Sequence, residues 1–311
     1  MRALEVTSFG APDVLRLVER PDPRPRSGTV RVRIHATAVN PVDWWVRRGT
    51  MADRTPHLSF PFTLGFDIAG TVLDSADGFT AGQRVVGLYP WFVEGTGQGT
   101  NSEIIHADPR WLAPLPDAVD WATAATVPLN SLTARQSLDL LGLAPGATVL
   151  ITGASGAVGS FAAQLAVADG AEVLAVASSG DEAYVSSLGV EHVLSRDEPH
   201  RLVEAIRKAT PHGVDRVFDA ALIGTPLLGA VRDGGGFVSA VEAVAPAPER
   251  GVTVVGVHAK PNSAQLADVI GRVAARDLHT RVAEVLPIAQ GAQAHRRVEE
   301  GGFRGKLVLT F

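Results

Sequence analysis

The sequence predicts an α/β chain with a β-rich, barrel-like first third followed by a doubly wound parallel sheet. Three observations lead there. Short alternating segments punctuated by Gly and Pro fill the first third. An apolar run meets a glycine cluster mid-chain, in VLITGASGAVG (149–159). Around that loop, strand-like and helix-like segments alternate, which implies parallel crossovers.

In order along the chain, MRALEVTSF alternates, and TVRVRIHATAV does so more clearly. Val32 and Ile34 fall on one face of the latter, Arg31, Arg33 and His35 on the other. His35 is therefore expected to be a solvated surface residue. PDPRPRSG between them reads as a surface connection, and FDIAGTVL and QRVVGLY as further strands between the turn signals DGFTAG and EGTGQGT. Near residue 120 the texture changes: WATAATVPLNSLTARQSLDLLGL reads as a helical segment interrupted at Pro128. The predicted strands then run TVLIT, AEVLAVAS, HVLS, DRVFDAA, GGGFVSA and VTVVGVHA, with SFAAQLAVADG a helix that stops at Asp-Gly. A helix follows at SAQLADVIGRVAARDL, then VAEVLPIAQGAQAHRRVEEG and a short closing strand, KLVLTF. The segment Pro246–Arg250 reads as a surface loop.

At 311 residues the chain has room for two domains. Its net charge of −5 comes from mixed signs without a long block of either, which excludes a nucleic-acid surface and a polybasic membrane patch. Pro, Gly or charge interrupts every apolar run before it could span a bilayer, and the first residues lack a signal-peptide layout, so a cytoplasmic location is expected. There is no cysteine, hence no disulfide, thiolate metal ligand or cysteine nucleophile.

In a dinucleotide loop the first small residue permits the tight turn, the second lets backbone approach the diphosphate, and the third lets helix and sheet pack closely. Counted from its last glycine, Ala154, Gly156 and Gly159 take those places, with Ser155 between and Gly153 just ahead. The N–H groups of Ala157 and Val158 at the helix start would face the phosphates. The short-chain reductase loop is the rival, but its second required glycine falls on Ala157, and neither Tyr89 nor Tyr184 has a Lys four residues on. At the end of the second strand, Ser178 and Ser179 stand where NAD sites place a carboxylate. This favours NADPH, with Arg196 as the cation for its 2′-phosphate despite Asp181 and Glu182 just beyond.

Taken with NPVDWWVRRG (40–49), FPFTLGFDIAGTV (60–72), ATVPLNSLTA (125–134) and RGKLVL (304–309), the chain resembles the medium-chain dehydrogenase/reductase superfamily, in its zinc-independent quinone oxidoreductase branch. The resemblance implies a GroES-like β-barrel catalytic domain, residues 1–120 plus 262–311, with a Rossmann NADP-binding domain, residues 121–261, inserted. It places Asn40, Asp43 and Thr133 at the catalytic end of the site, with Trp44, Met51 and Asn130 in the substrate pocket. His258 joins the pocket candidates because it stands at the end of VTVVGVHA, where strands of a doubly wound sheet present ligand contacts. Of the adjacent Trp44 and Trp45, one is expected in the core and one in the pocket. Zinc members of the superfamily carry Cys where Asn40 stands and Gly-His-Glu where Gly65-Phe66-Asp67 stands, so no metal is expected. Met51 replaces a tyrosine of many relatives, which removes one proton donor. The resemblance thus implies a metal-free, NADPH-dependent reductase of a quinone or an α,β-unsaturated carbonyl, acting as a homodimer paired through the GGGFVSA–VTVVGVHA edge. An enoyl reductase tailoring a larger natural product, and a dinucleotide-binding redox sensor without turnover, are the alternatives. Lys306 is left without a role.

Overall fold

The computed structural model describes residues 1–91, 95–196 and 201–311. It divides into two compact units, Met1–Leu129 with Lys260–Phe311, and Asn130–Ala259.

The first unit is built on β3 (Val30–Ala38), whose residues alternate between buried and half-buried along most of its length. Val30, Val32 and Ile34 are completely buried, as a strand with one core-facing side requires. Before it, β1 (Arg2–Val6) and β2 (Leu15–Glu19) pair antiparallel, and β4 (Phe62–Thr63) adds to the other side of β1. The larger sheet continues from β3 through β5 (Asp67–Val72) and β6 (Arg84–Leu88) to β8 (Leu112–Pro114). On its other side β3 pairs with β7 (Ile104–Ala107) along its first half. Along its last residues it pairs with β16 (Lys306–Thr310), to which β15 (Val282–Pro287) is parallel. The end of the chain thus returns to the sheet formed by its beginning. The stretch VAEVLPIAQGAQAHRRVEEG divides into β15 and a helix, Gly291–Glu300.

Helix α1 (Pro41–Arg48) follows β3 directly and buries Asp43, Val46 and Arg47, a spacing that sets one helix face inward. Next come α2 (Trp121–Ala125) and α3 (Pro128–Leu141). The expected break is real, and Pro128 opens the second helix, where its missing N–H costs nothing. His35 is not simply solvated: its ring stacks on Trp121 with centroids 4.5 Å apart, and its Nε2 lies 2.8 Å from Thr71 Oγ1. The expectation failed because α2 covers this part of the outer face of β3, and burial lowers the His35 pKa.

The second unit is a six-stranded parallel sheet: β9 (Thr148–Thr152), β10 (Glu172–Ala177), β11 (His192–Ser195), β12 (Val214–Asp219), β13 (Val231–Ser239) and β14 (Thr253–Gly256). Their order is β11-β10-β9-β12-β13-β14. Val149, Leu150 and Ile151 are all fully buried, the signature of a strand covered on both faces. Helix α4 (Ala157–Ala168) follows β9 and ends at Asp169-Gly170, with Gly170 at φ +81°. From β9 the chain winds outward to β11, then returns to the other side of β9 at β12. The carboxyl ends of β9 and β12 therefore form the topological switch point, where ligands of open α/β sheets bind.

Candidate active site and dinucleotide cradle

The glycine loop sits at that switch point. Gly156 is the residue before α4, and the first amides of the helix lack intrahelical acceptors, which makes them an anion cradle. A Cβ on Gly159 would come within 2.2 Å of the Gly153 carbonyl oxygen, so this position holds α4 tight against the loop. On Gly156 a Cβ would meet only that oxygen, at 3.1 Å. Two residues that sequence reading passed over hold the switch point together. Thr152 Oγ1 donates to Asp219 Oδ1 at 2.6 Å and accepts from Ala221 N at 2.9 Å, while Asp219 Oδ2 accepts from Gly224 N at 2.7 Å. Their signal is weak: a Thr and an Asp that end two strands far apart in the chain.

At the far end of β10, Ala177 pairs with Ser195, and Arg196 N donates to Ala177 O at 2.9 Å. This register puts Arg196 beside Ser178 at neighbouring strand ends, with Arg196 and Ser179 exposed. Glu182 turns back to accept from Gly180 N at 2.8 Å, and Asp181 is buried. His258 lies on the surface, 2.8 Å from Glu242. Asn130 and Thr133 are buried on the first turns of α3, where the Thr133 carbonyl accepts from Ser137 Oγ at 2.7 Å.

In the first unit the sequence-singled residues gather where β3 passes into α1. Asn40 caps the helix and Asp43 sits in its first turn. Asp43 Oδ2 accepts from Asn40 N at 2.8 Å and its Oδ1 from Gly65 N at 3.0 Å, so one carboxylate ties the helix start to the loop before β5. The Asn40 carboxamide has a neighbour on either side. Its Oδ1 accepts from Lys306 Nζ at 2.6 Å and its Nδ2 donates to Asp67 Oδ2 at 2.7 Å, while Asp67 Oδ1 accepts from Leu129 N, at the start of α3, at 2.9 Å.

Asn40, Asp43, Asp67 and Lys306 are all buried. Burial pushes Asp43 up to about 7 and Asp67 up to about 6, and it lowers Lys306, each against the pull of its opposite charges. The sequence marked Asn40 and Asp43 but gave them no partners; Lys306 is the residue it missed. Trp44 and Trp45 are both half-buried and meet edge to face at 5.7 Å, with the Arg48 guanidinium 5.5 Å from the Trp44 ring. Neither is a core residue, because both flank the buried stripe of α1 instead of lying on it. Met51 is half-buried just beyond the helix. The buried Arg47 anchors α1, donating to Glu299, to Gly10 O and, at 3.4 Å, to His295 Nδ1; burial holds His295 neutral, down to about 3.

A barrel-like sheet completed by the chain's end, a glycine loop at a switch point and a polar cluster at the β3–α1 junction are the parts of a two-domain, dinucleotide-binding type of architecture. Comparisons with known proteins agree. Residues 26–117 match the alcohol dehydrogenase GroES-like domain, and residues 188–309 match a family described as zinc-binding dehydrogenase. The chain is 34% identical over 225 residues to a quinone oxidoreductase of Rattus norvegicus, covering 70% of this chain and 66% of that one. It is 30% identical over 256 residues to a 2-methylene-furan-3-one reductase of Solanum lycopersicum, covering 79% and 63%. The matched stretches thus span about two thirds or less of these relatives' own lengths. The solved structure of the quinone oxidoreductase from Coxiella burnetii superposes with a TM-score of 0.87 at 26% identity, covering 100% of this chain and 99% of that one. The chain belongs to the medium-chain dehydrogenase/reductase superfamily, in its quinone oxidoreductase-like branch. Its GroES-like and Rossmann folds are those expected. Among the described residues, no helix is long and apolar enough to cross a membrane.

Proposed function

We propose that this protein is an NADPH-dependent oxidoreductase that reduces a quinone or an α,β-unsaturated carbonyl without a metal ion. One observation carries the reading: at the locus where zinc members of the superfamily hold their metal, the side chains are already hydrogen-bonded to one another. Asn40 offers an amide oxygen engaged by an ammonium, Phe66 offers no donor, and Asp67 is engaged by Asn40 and Leu129 N. Zinc prefers thiolate and imidazole ligands, and this locus supplies neither. Among the described residues, no three His, Asp or Glu side chains cluster as a metal site would require. These residues do not fit zinc.

The dinucleotide fits. Gly156 and the amides of Ala157 and Val158 would hold its diphosphate, and Ala154, Ser155 and Gly159 would shape the turn. Ser178, Ser179 and Arg196, adjacent at the ends of β10 and β11, would take a 2′-phosphate, with Glu182 occupied by Gly180 N. When bound, the reduced nicotinamide supplies a hydride. A quinone or enone suits a metal-free site, because the charge it acquires delocalises onto an oxygen and needs only orientation and modest stabilisation. The tomato relative's name points to the same class of acceptor. Asn40 and Asp43 act as positioning residues, because their polar atoms are committed to protein partners. Trp44 and Met51, half-buried at α1, are the substrate-facing candidates of this unit, and Thr133 and Asn130 those of α3. Strand β14 is one of the two edge strands of the Rossmann sheet, β11 being the other, which suits the homodimer that the resemblance implies.

The test is spectrophotometric oxidation of NADPH and of NADH against a panel of quinones, enones and simple ketones. Turnover of quinone or enone with NADPH preferred is expected. Tight NADPH binding without turnover would overturn the enzymatic reading, and a preference for NADH of at least about tenfold, or roughly 1.4 kcal/mol, would overturn the cofactor reading.

A further inference from the structure

The ammonium of Lys306 donates to Asn40 Oδ1 at 2.6 Å, but the proposed reaction gives it no part. It sits on the first residue of β16, directly across from Asn40: Val308 pairs with Ala38, and Val39 N donates to Leu307 O at 3.0 Å. On the other side of β3 lies β5, whose first residue is Asp67. Sheet register therefore brackets the Asn40 carboxamide between a cation and an anion from its two neighbouring strands. A lysine can only donate and a carboxylate can only accept, so the amide can stand in one sense alone, oxygen toward Lys306 and nitrogen toward Asp67. The carbonyl of Ala38, 3.4 Å from the same nitrogen, enforces that sense. The charges acting on Lys306 are Asp67 of β5 and Asp43 of α1, both buried with it. Two buried carboxylates without a counter-cation would be costly.

We propose that the Lys306 ammonium is the resident cation of this locus, a positioning residue that balances Asp43 and Asp67 and locks the Asn40 carboxamide at the head of α1. The locus where zinc members of the superfamily hold their metal thereby carries a buried hydrogen-bonded chain instead, Lys306–Asn40–Asp67–Leu129. The inference rests on the same hydrogen bonds as the metal-free part of the oxidoreductase reading, but its test needs neither substrate nor cofactor, so its failure is distinguishable from a failure of turnover.

The chain has only three lysines, Lys208, Lys260 and Lys306, and selective isotope labelling makes each ammonium individually visible by NMR. In the unmodified protein near neutral pH, one ammonium signal protected from exchange is expected, and it should vanish in Lys306→Met. A neutral or unprotected Lys306 would overturn the proposal. A double-mutant cycle tests the charge balance. Lys306→Met should lower Tm by roughly 6–20 °C, the effect of stranding buried charge in a unit of this size. Lys306→Met with Asp67→Asn removes one charge of each sign, and should recover at least about half of that loss. Strictly additive losses would count against the proposal. If Lys306→Met alone does not fold, a folded double variant supports the proposal, and failure of both leaves the ammonium spectrum of the unmodified protein to decide.

Discussion

The two glycines of the dinucleotide loop should separate stability from cofactor binding when each is replaced by alanine. In Gly159→Ala the new Cβ would lie 2.2 Å from the Gly153 carbonyl oxygen and 2.6 Å from its carbon. Backbone cannot be moved like a flexible side chain, so α4 must shift outward by about 1 Å to restore ordinary contact. Overpacking of this kind costs about 1–3 kcal/mol, which in a unit of this size lowers Tm by roughly 3–12 °C. In Gly156→Ala the new Cβ meets only the same oxygen, at 3.1 Å, and φ of −81° suits any L residue. Stability should change little, yet the methyl would stand where backbone must approach the diphosphate. Thermal melting and NADPH titration by fluorescence read the two effects independently. Gly159→Ala should lose both stability and affinity; Gly156→Ala should keep its Tm within about 2 °C and lose affinity at least about tenfold. Wild-type affinity in a stable Gly156→Ala would falsify the assignment of the diphosphate to this loop.

Arg196→Ala should weaken NADPH by about tenfold to a hundredfold, the value of a charge-assisted hydrogen bond, and leave NADH nearly unchanged; equal losses for both would remove Arg196 from the 2′-phosphate. Prolonged chelation should change neither Tm nor turnover, and metal analysis should find zinc far below one per chain; stoichiometric zinc would contradict the donor chemistry at Asn40 and Phe66. A pH dependence follows from Asp43, which burial pushes up to about 7 from 3.8. The folded state then holds a proton that the unfolded state has released, so the stability from this group is greatest below about pH 4. It falls by up to about 1.4 kcal/mol per pH unit as pH rises toward 7. Asp43→Asn should flatten Tm against pH across that window while lowering Tm at acid pH, since an amide oxygen cannot serve both Asn40 N and Gly65 N; an unchanged slope would show that Asp43 does not titrate there.

Much of this was legible in the residues because it is local. Strand periodicity in TVRVRIHATAV, the spacing of Ala154, Gly156 and Gly159, and Pro128 at a helix start all depend on neighbours within a few positions. The pairing of Arg196 with Ser178 was half legible: both residues stood out, but only the parallel register of β10 and β11 makes them adjacent. The environment of His35 was not legible, because period-two alternation assigns a face without saying what covers it.

By itself the sequence determined the class of cofactor, the alternation of strands and helices, and the absence of thiolate ligands, each being a matter of residue type and near spacing. Only the tertiary structure decided which side chains meet at the locus where zinc members hold their metal. Residues 67 and 306 lie on two strands and residue 40 at the head of α1, just past the strand between them, and their distance along the chain carries no information about a shared hydrogen-bonded chain. It is the return of the chain's end to pair with β3 that sets an ammonium against Asn40. Once that register is fixed, the chemistry of donor and acceptor leaves the amide one orientation.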